Sequence, residues 1–547
     1  MRKYIIIFIL SAFSQLVMAQ IETEQVEVVK AFEVQLEDAE KVDVLPKIIV
    51  TEQQRKVYQY DVTIVPLEIK YADPVIKPLA MSPEDAFDTK SVYLKGGYGN
   101  LRNPFFKMRF GTAGDEKYEI HADLDYYAID NSKKVDYQKM LNTKGGLDVK
   151  YRLTDNMFVT AGINYNIDKR NFYFIYVEDD IPVDPDLLVR NTNRYGGYVG
   201  IQNVEETASG FDYDFKFSTD LLNTTNYNAN EQIVGINGVA TYRLDEKFSF
   251  HLPIATNAYR NRISITDLSK YYFVLDFKPQ AQYHQGRVNI KAGVSLLLDG
   301  GKFKPYPTGE VSFALTPQQI QIFAGIDQRQ QINDLNSLLA FSPWVNTVLD
   351  TINLNVGREF YGGIRGDLKF LTYQARAGYR YNDIQPFFVN YRVRQLESND
   401  KPSVDYGNLG CIFINGSADF ALTNDIRVGG MLTKNFYTYN DIKAPYGLLS
   451  LEGNVYAKTS FLNDRLKLKG DLYLGDRNAT LYPNAQRIPV LVKTTNLFDL
   501  NLGLEGWITK KVGLYFDAYN VLNNKNVRWY GYPQVGIHFN GGVVASF

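Results

Sequence analysis

Apolar and polar residues alternate along most of this chain with a period of two. Tyr118, Ile120, Ala122, Leu124 and Tyr126 alternate with Glu119, His121, Asp123 and Asp125. Leu147, Val149, Tyr151 and Leu153 alternate with Asp148, Lys150 and Arg152, and Phe211, Tyr213, Phe215 and Phe217 with Asp212, Asp214 and Lys216. The same pattern runs through 288–298 and 466–474. Successive strand side chains point to opposite faces, so one face of each segment meets an apolar medium and the other meets water. The last residues repeat the signal: Val535, Ile537, Phe539, Val543 and Phe547 share one parity, with Tyr532 and the Trp529-Tyr530 pair at the far end. The pattern predicts an aromatic-bounded strand crossing a bilayer at a tilt, with these residues as the membrane-inserting carboxyl-terminal strand.

Between the alternating segments a short tetrad recurs, an apolar residue followed by tight-turn residues. It appears at 153–156, 244–247, 315–318, 422–425, 462–465 and 508–511, and further turns are expected near Gly114, Glu205, Gly286 and Phe370. Opposite them, longer connections are expected at about 130–143, 168–190, 220–230, 328–356 and 476–491. Short turns at one end and long loops at the other are the asymmetry of outer-membrane barrels. Ten short turns with both barrel ends on that side imply eleven hairpins and 22 strands. The fold class is therefore all-β: a transmembrane antiparallel β-barrel of about 22 strands over 90–547, preceded by a short extended amino-terminal segment.

Residues 1–19 read as a cleavable signal peptide. Arg2 and Lys3 precede the apolar run 4–13, and Val17 and Ala19 supply small residues for processing before Gln20. Residues 20–89 differ from the barrel: 21–45 carries eight acidic residues and two Lys, and 46–87 carries Pro46, Pro66, Pro74, Pro78 and Pro83. Proline at that density blocks strand pairing, so an extended periplasmic or lumenal segment is expected.

Composition narrows the function. A net charge of −2 gives no electrostatic case for nucleic acid. One cysteine, Cys411, excludes an internal disulfide, and four scattered His offer no metal spacing, so neither cofactor nor metal is expected. No nucleophile elbow, zinc-protease helix or phosphate-binding glycine loop is evident, and the chain reads as a non-enzyme. Glu178, Asp179, Asp180, Asp184 and Asp186 match no defined calcium loop and read as a solvated acidic loop. Inward Gln374, Arg376 and Arg380, with Asp212, Asp214 and Lys216, imply a wet lumen.

One loop carries its own pattern. In 328–356, Asn333-Asp334 can cap a short helix bearing Leu335, Leu338, Leu339 and Phe341, followed by Pro343-Trp344. An apolar stripe on a barrel loop either folds into the mouth or meets a partner.

The chain's end also resembles a known family. Asn520-Val-Leu-Asn-Asn-Lys-Asn526, then Arg528-Trp-Tyr-Gly-Tyr-Pro533, then the strand to Phe547 look like the last hairpin of TonB-dependent receptors. The resemblance implies a 22-strand outer-membrane barrel, an amino-terminal plug and uptake driven by TonB. Only 68 residues, 20–87, stand where that family has a much larger plug, and none of the plug's motifs is present. Val26, Val28 and Val29 weakly resemble a TonB-contacting box, which leaves coupling to TonB open. The expectation is an outer-membrane transporter or channel component closed by loops, by its amino-terminal segment or by a partner. The alternative is a non-transporting subunit of an outer-membrane complex for protein export or barrel assembly. Expected partners are outer-membrane lipids and a surface lipoprotein or other outer-membrane protein.

Overall fold

The computed structural model describes residues 90–547 apart from 113–116, 175–187, 205–206, 208, 226–227, 264–267, 318, 350–351, 392–399 and 441. The expected signal peptide, the segment 20–89 with Val26, Val28 and Val29, and the acidic loop around Glu178 lie outside the described residues.

Alternation becomes a closed antiparallel barrel. Each strand pairs with its sequence neighbour, and the sheet returns on itself where Lys90–Gly99 pairs with His538–Ser546, from Tyr93↔Ser546 to Gly99↔Asn540. Val92 and Phe547 complete the seam by exchanging both backbone hydrogen bonds, at 3.0 and 2.9 Å. Closure leaves no strand edge, so every ladder group has a partner without water. Two segments, Leu268–Phe277 and Gln280–Gln285, both lie between Phe248–Ile263 and Val288–Asp299, and form one wall strand interrupted at Lys278-Pro279. A separate hairpin, Ala479–Pro483 with Pro489–Lys493, stands outside the wall. The barrel itself therefore has 22 strands. Among the described residues no helix is long and apolar enough to cross a membrane.

Among the described residues, the expected turns at 153–156, 244–247, Gly286, Phe370, 422–425, 462–465 and 508–511 lie at one end, and they are short for a local reason. Leu462, Asn463 and Asp464 all take positive φ, and Gly286 sits at +59°, conformations that reverse a chain within two to four residues. The opposite connections are shorter than expected at 131–138 and 225–228, because the strands Tyr118–Asp130, Lys139–Thr154, Phe211–Thr224 and Ala229–Arg243 continue past the expected boundaries. The longest strands, Leu371–Val389 and Ser403–Ala421, are each 19 residues, about twice what a bilayer crossing requires.

Outside, exposed Ile163, Val199, Phe217, Val311, Leu432, Leu514 and Val543 continue from strand to strand as a lipid-facing belt. Inside, charges are paired. Glu359 is fully buried between Arg376 and Arg380, Arg365 meets Glu310 at 2.8 Å, and Arg109 grips both oxygens of Asp125 at 2.7 Å. Lys95 on the first strand reaches past the seam to Asp517 at 2.9 Å and Glu505 at 3.5 Å, with its ammonium over the Tyr515 ring. Removing either sign from such buried sets strands the other.

The carboxyl-terminal strand is shorter than its apolar pattern. It begins at His538, so Tyr532 and Val535 precede it in a loop, and Ile537 is the residue before the strand. Pro533 cannot donate to a ladder and Gly531 turns the chain with φ +83°, which ends the run. The Asn520 amide then holds the loop by donating to Asn524 O (2.9 Å) and Val535 O (3.0 Å). Phe539 and Val543 do lie on the strand's outer face, with Phe547 beyond its end.

Candidate functional site: the barrel mouth

At the long-loop end, loops and strand ends from different sides of the wall share one buried cluster. Its members are Phe172 and Leu188, Leu222 and Ala229, Leu335, Leu338 and Leu339 with Trp344, Val345, Val348 and Leu349, Phe388 and Val404, and Trp529 and Tyr532. Residues 334–352 carry the centre. Asp334 is the N-cap of the helix Leu335–Phe341, its carboxylate accepting from Ser337 N at 2.7 Å. That matches the expected cap and helix. Leu335, Leu338 and Leu339 are buried beneath the helix, Phe341 packs against the same cluster, and Trp344 is buried beyond it. All five expected loop residues are therefore brought together in one cluster with residues from other loops and strand ends.

The aromatic contacts are specific. Trp344 stacks on Tyr532, with ring centroids 4.4 Å apart and an interplanar angle of 5°. Tyr173 stands edge-on to both, at 5.1 Å from each. Phe341 stacks on Phe388 at 4.9 Å and meets Trp529 edge-on at 5.6 Å. Offset and edge-on pairs contribute about 0.5–1.5 kcal/mol each beyond the area they bury. Polar groups fix the remainder. Arg190 donates to Val345 O (2.7 Å), Asn346 N to Pro402 O (2.7 Å), and the Tyr532 hydroxyl to Asp400 O (2.8 Å). The Tyr173 hydroxyl and the Gln138 amide both donate to Pro533 O.

The hairpin 479–493 adds a second layer. Ala479 packs with Phe387, Val389, Leu409, Ala444 and Tyr446, with Leu481 against them. Tyr482 reaches Tyr530 and Phe174, from two other loops, at 4.8 and 5.8 Å. The outer strand of the hairpin leaves Val490 and Leu491 exposed, beside Ile488.

Burial sets the protonation of the loop groups. It pushes the Tyr173 and Tyr532 phenols up, and both hydroxyls donate to backbone carbonyls. Burial also raises the Asp334 carboxyl, against its bonds to Ser337, and lowers the Lys401 ammonium, which lies 4.4 Å from the centre of the Phe172 ring.

Several residues of this cluster carry no sequence signal. Glu231, Arg190, Phe172 and Phe388 lie at strand ends where nothing distinguishes them from other wall positions. Trp529 and Tyr532 read as a strand terminus and are instead part of the mouth.

No protein-family model matches the chain, and no curated protein matches it in sequence. Solved structures do match in fold. The FrpB iron transporter from Neisseria meningitidis (F3-3 variant) superposes with a TM-score of 0.64 at 10% identity, covering 84% of this chain and 82% of that one. A ferric enterobactin receptor (PfeA) mutant from Pseudomonas aeruginosa gives 0.61 at 10% identity, with coverage of 85% and 81%. The copper transporter OprC gives 0.59 at 11% identity, with coverage of 85% and 84%. The chain thus has the 22-strand barrel fold of TonB-dependent outer-membrane receptors, and at these identities the likeness is one of fold.

Proposed function

We propose that this protein is an outer-membrane transporter or channel component whose mouth is covered by its own loops. The observation that carries the reading is the shared cluster, in which Trp344 and Phe341 meet Tyr173, Trp529 and Tyr532 from other loops and Phe388 from a strand end. A barrel of this strand number encloses a lumen wide enough to leak unless filled. The paired wall charges suit a hydrated path for a polar solute. A chain leaving its ribosome with 1–19 as signal peptide would mature at Gln20. Residues 20–89 would then enter the barrel from the short-turn end as a second, extended closure in place of a full plug. Coupling to TonB through Val26, Val28 and Val29 is part of the same proposal, and no catalysis is proposed.

One observation favours a partner. Ile488, Val490 and Leu491 leave three apolar side chains exposed on the outer hairpin. A surface lipoprotein or another outer-membrane protein would cover it, and a subunit role in export or assembly remains the second reading.

Planar-bilayer conductance tests the closure. The intact barrel is expected to be quiet, and replacement of 334–349 by a short Gly-Ser linker, or deletion of 20–87, is expected to raise single-channel conductance. If both variants stay as tight as the intact protein, and the protein migrates alone after extraction in mild detergent, closure and partnership are both wrong. Amino-terminal mass spectrometry decides the export claim, since a retained Met1 would contradict it.

A further inference from the structure

Residues 334–349 are held by other loops, through Tyr173, Trp529 and Tyr532, and by the ends of wall strands, through Leu222, Ala229, Arg190, Phe388 and Val404. One wall contact reaches the start of the helix. Glu231 lies near the start of the strand Ala229–Arg243 and is 1% exposed. That strand pairs on both sides, Glu231 opposite Leu222 and opposite Asn261. Its Oε2 accepts the backbone N–H of Leu335 at 2.7 Å and its Oε1 that of Asn336 at 3.0 Å. Asn261 Nδ2 donates to Oε2 at 3.4 Å.

Leu335 and Asn336 open the helix, and a first turn leaves its N–H groups without intrahelical partners. Asp334 satisfies Ser337 N, and Glu231 satisfies the two before it. A seven-residue helix is well below the roughly 12–15 residues that sustain one in water, so its order comes from its surroundings. The groups that supply this order at its start are a carboxylate from the rigid wall and the loop's own cap.

We propose that Glu231 is a positioning residue that ties the mouth loop to the barrel. Its carboxylate completes the first helical turn and anchors that turn to a strand that cannot move. Loss of the two bonds frees 334–349 to leave the mouth. Arg190, on the strand Val189–Asn203, holds the far end through Val345 O but by a single bond to a backbone carbonyl. The inference rests on the reading that this loop closes the barrel.

The test uses the full chain refolded into lipid, with Glu231→Ala, Glu231→Gln and the 334–349 linker replacement compared with the parent. Glu231→Ala is expected to raise the fraction of time spent conducting by on the order of tenfold to a hundredfold, the worth of two buried hydrogen bonds to backbone N–H groups. Glu231→Gln keeps one acceptor oxygen and is expected to fall between. Hydrogen exchange should show the amides of Leu335–Phe341 losing protection in both variants while those of Ala229–Arg243 keep theirs. If the linker variant opens but Glu231→Ala stays quiet with the helix protected, the anchor is wrong and the loop closure stands. If the linker variant is also closed, the closure reading fails and the anchor's role fails with it. Should Glu231→Ala not fold, parent-like helix protection in Glu231→Gln overturns the proposal by itself.

Discussion

Ile163 tests the barrel's two faces most directly. It is 64% exposed and lies at the centre of the strand Met157–Asn171. Met157 and Lys169 share its outward face, each six residues away. At about 3.3 Å per residue and a tilt of roughly 40°, six residues span some 15 Å along the membrane normal. An apolar band about 25 Å tall then has its rims near Met157 and Lys169 and its middle near Ile163. The cross-strand neighbours are Leu147 and Gly197, neither of which can partner a cation. Ile163→Lys should therefore destabilise the inserted barrel by roughly 2–4 kcal/mol, about thirty- to nearly a thousandfold in the folding equilibrium. Asn164 sits at the same depth, exposed on the lumen side. Asn164→Lys should stay within about 0.5 kcal/mol of the parent. The assay is urea-dependent folding into phosphatidylcholine vesicles, followed by tryptophan fluorescence and by heat-modifiable gel mobility. Equal losses at the two positions would refute the assignment of faces, and a larger loss at Asn164 would invert it.

Other outcomes follow from the paired charges and the mouth. Lys95→Met leaves Asp517 without its cation at the seam, and should cost about 3–5 kcal/mol in the same vesicle titration. Glu359→Gln strands the guanidinium groups of Arg376 and Arg380 and should destabilise the wall comparably, whereas the exposed pair Arg102–Asp130 should tolerate Arg102→Gln with little change. Trp344→Ala removes the stack on Tyr532 and should raise hydrogen exchange across 335–344 while the wall strands stay protected, a local loss of about 3–5 kcal/mol. The loop should also respond to pH. Asp334 is raised above the ordinary carboxyl range by burial, it interacts with Glu231, whose carboxyl is raised in turn by burial and by Asp334, and Arg194 is the cation that partly offsets the shift. A raised acid favours the folded loop when protonated, so that contribution is present in acid and is lost as pH rises through the folded-state value. Exchange within Leu335–Phe341 should therefore quicken, beyond the intrinsic rate change, as pH rises through the folded-state values of this pair, and Asp334→Asn should weaken that dependence while leaving the part due to Glu231, whose carboxyl burial raises in the same direction.

The wall was legible in the sequence because a barrel strand obeys local rules. Every second residue meets lipid, every turn must reverse within a few residues, and both demands leave a short-range trace. The short turns, the 22 strands and the inward Arg376 and Arg380 all follow from such traces. The helix Leu335–Phe341 was equally local, since its cap and apolar stripe lie within ten residues. The mouth was decided by tertiary structure. Glu231 and Leu335 are 104 residues apart in sequence, and Trp344 meets Tyr532 across the opening. Contacts of that kind have no period, and any buried carboxylate or aromatic ring at a strand end carries the same sequence signal. The apolar run that ends the chain shows the limit most plainly: its parity is that of one long strand, yet Pro533, Gly531 and the pull of the Trp344 ring on Tyr532 give its first half to the mouth and leave only His538–Ser546 to the wall.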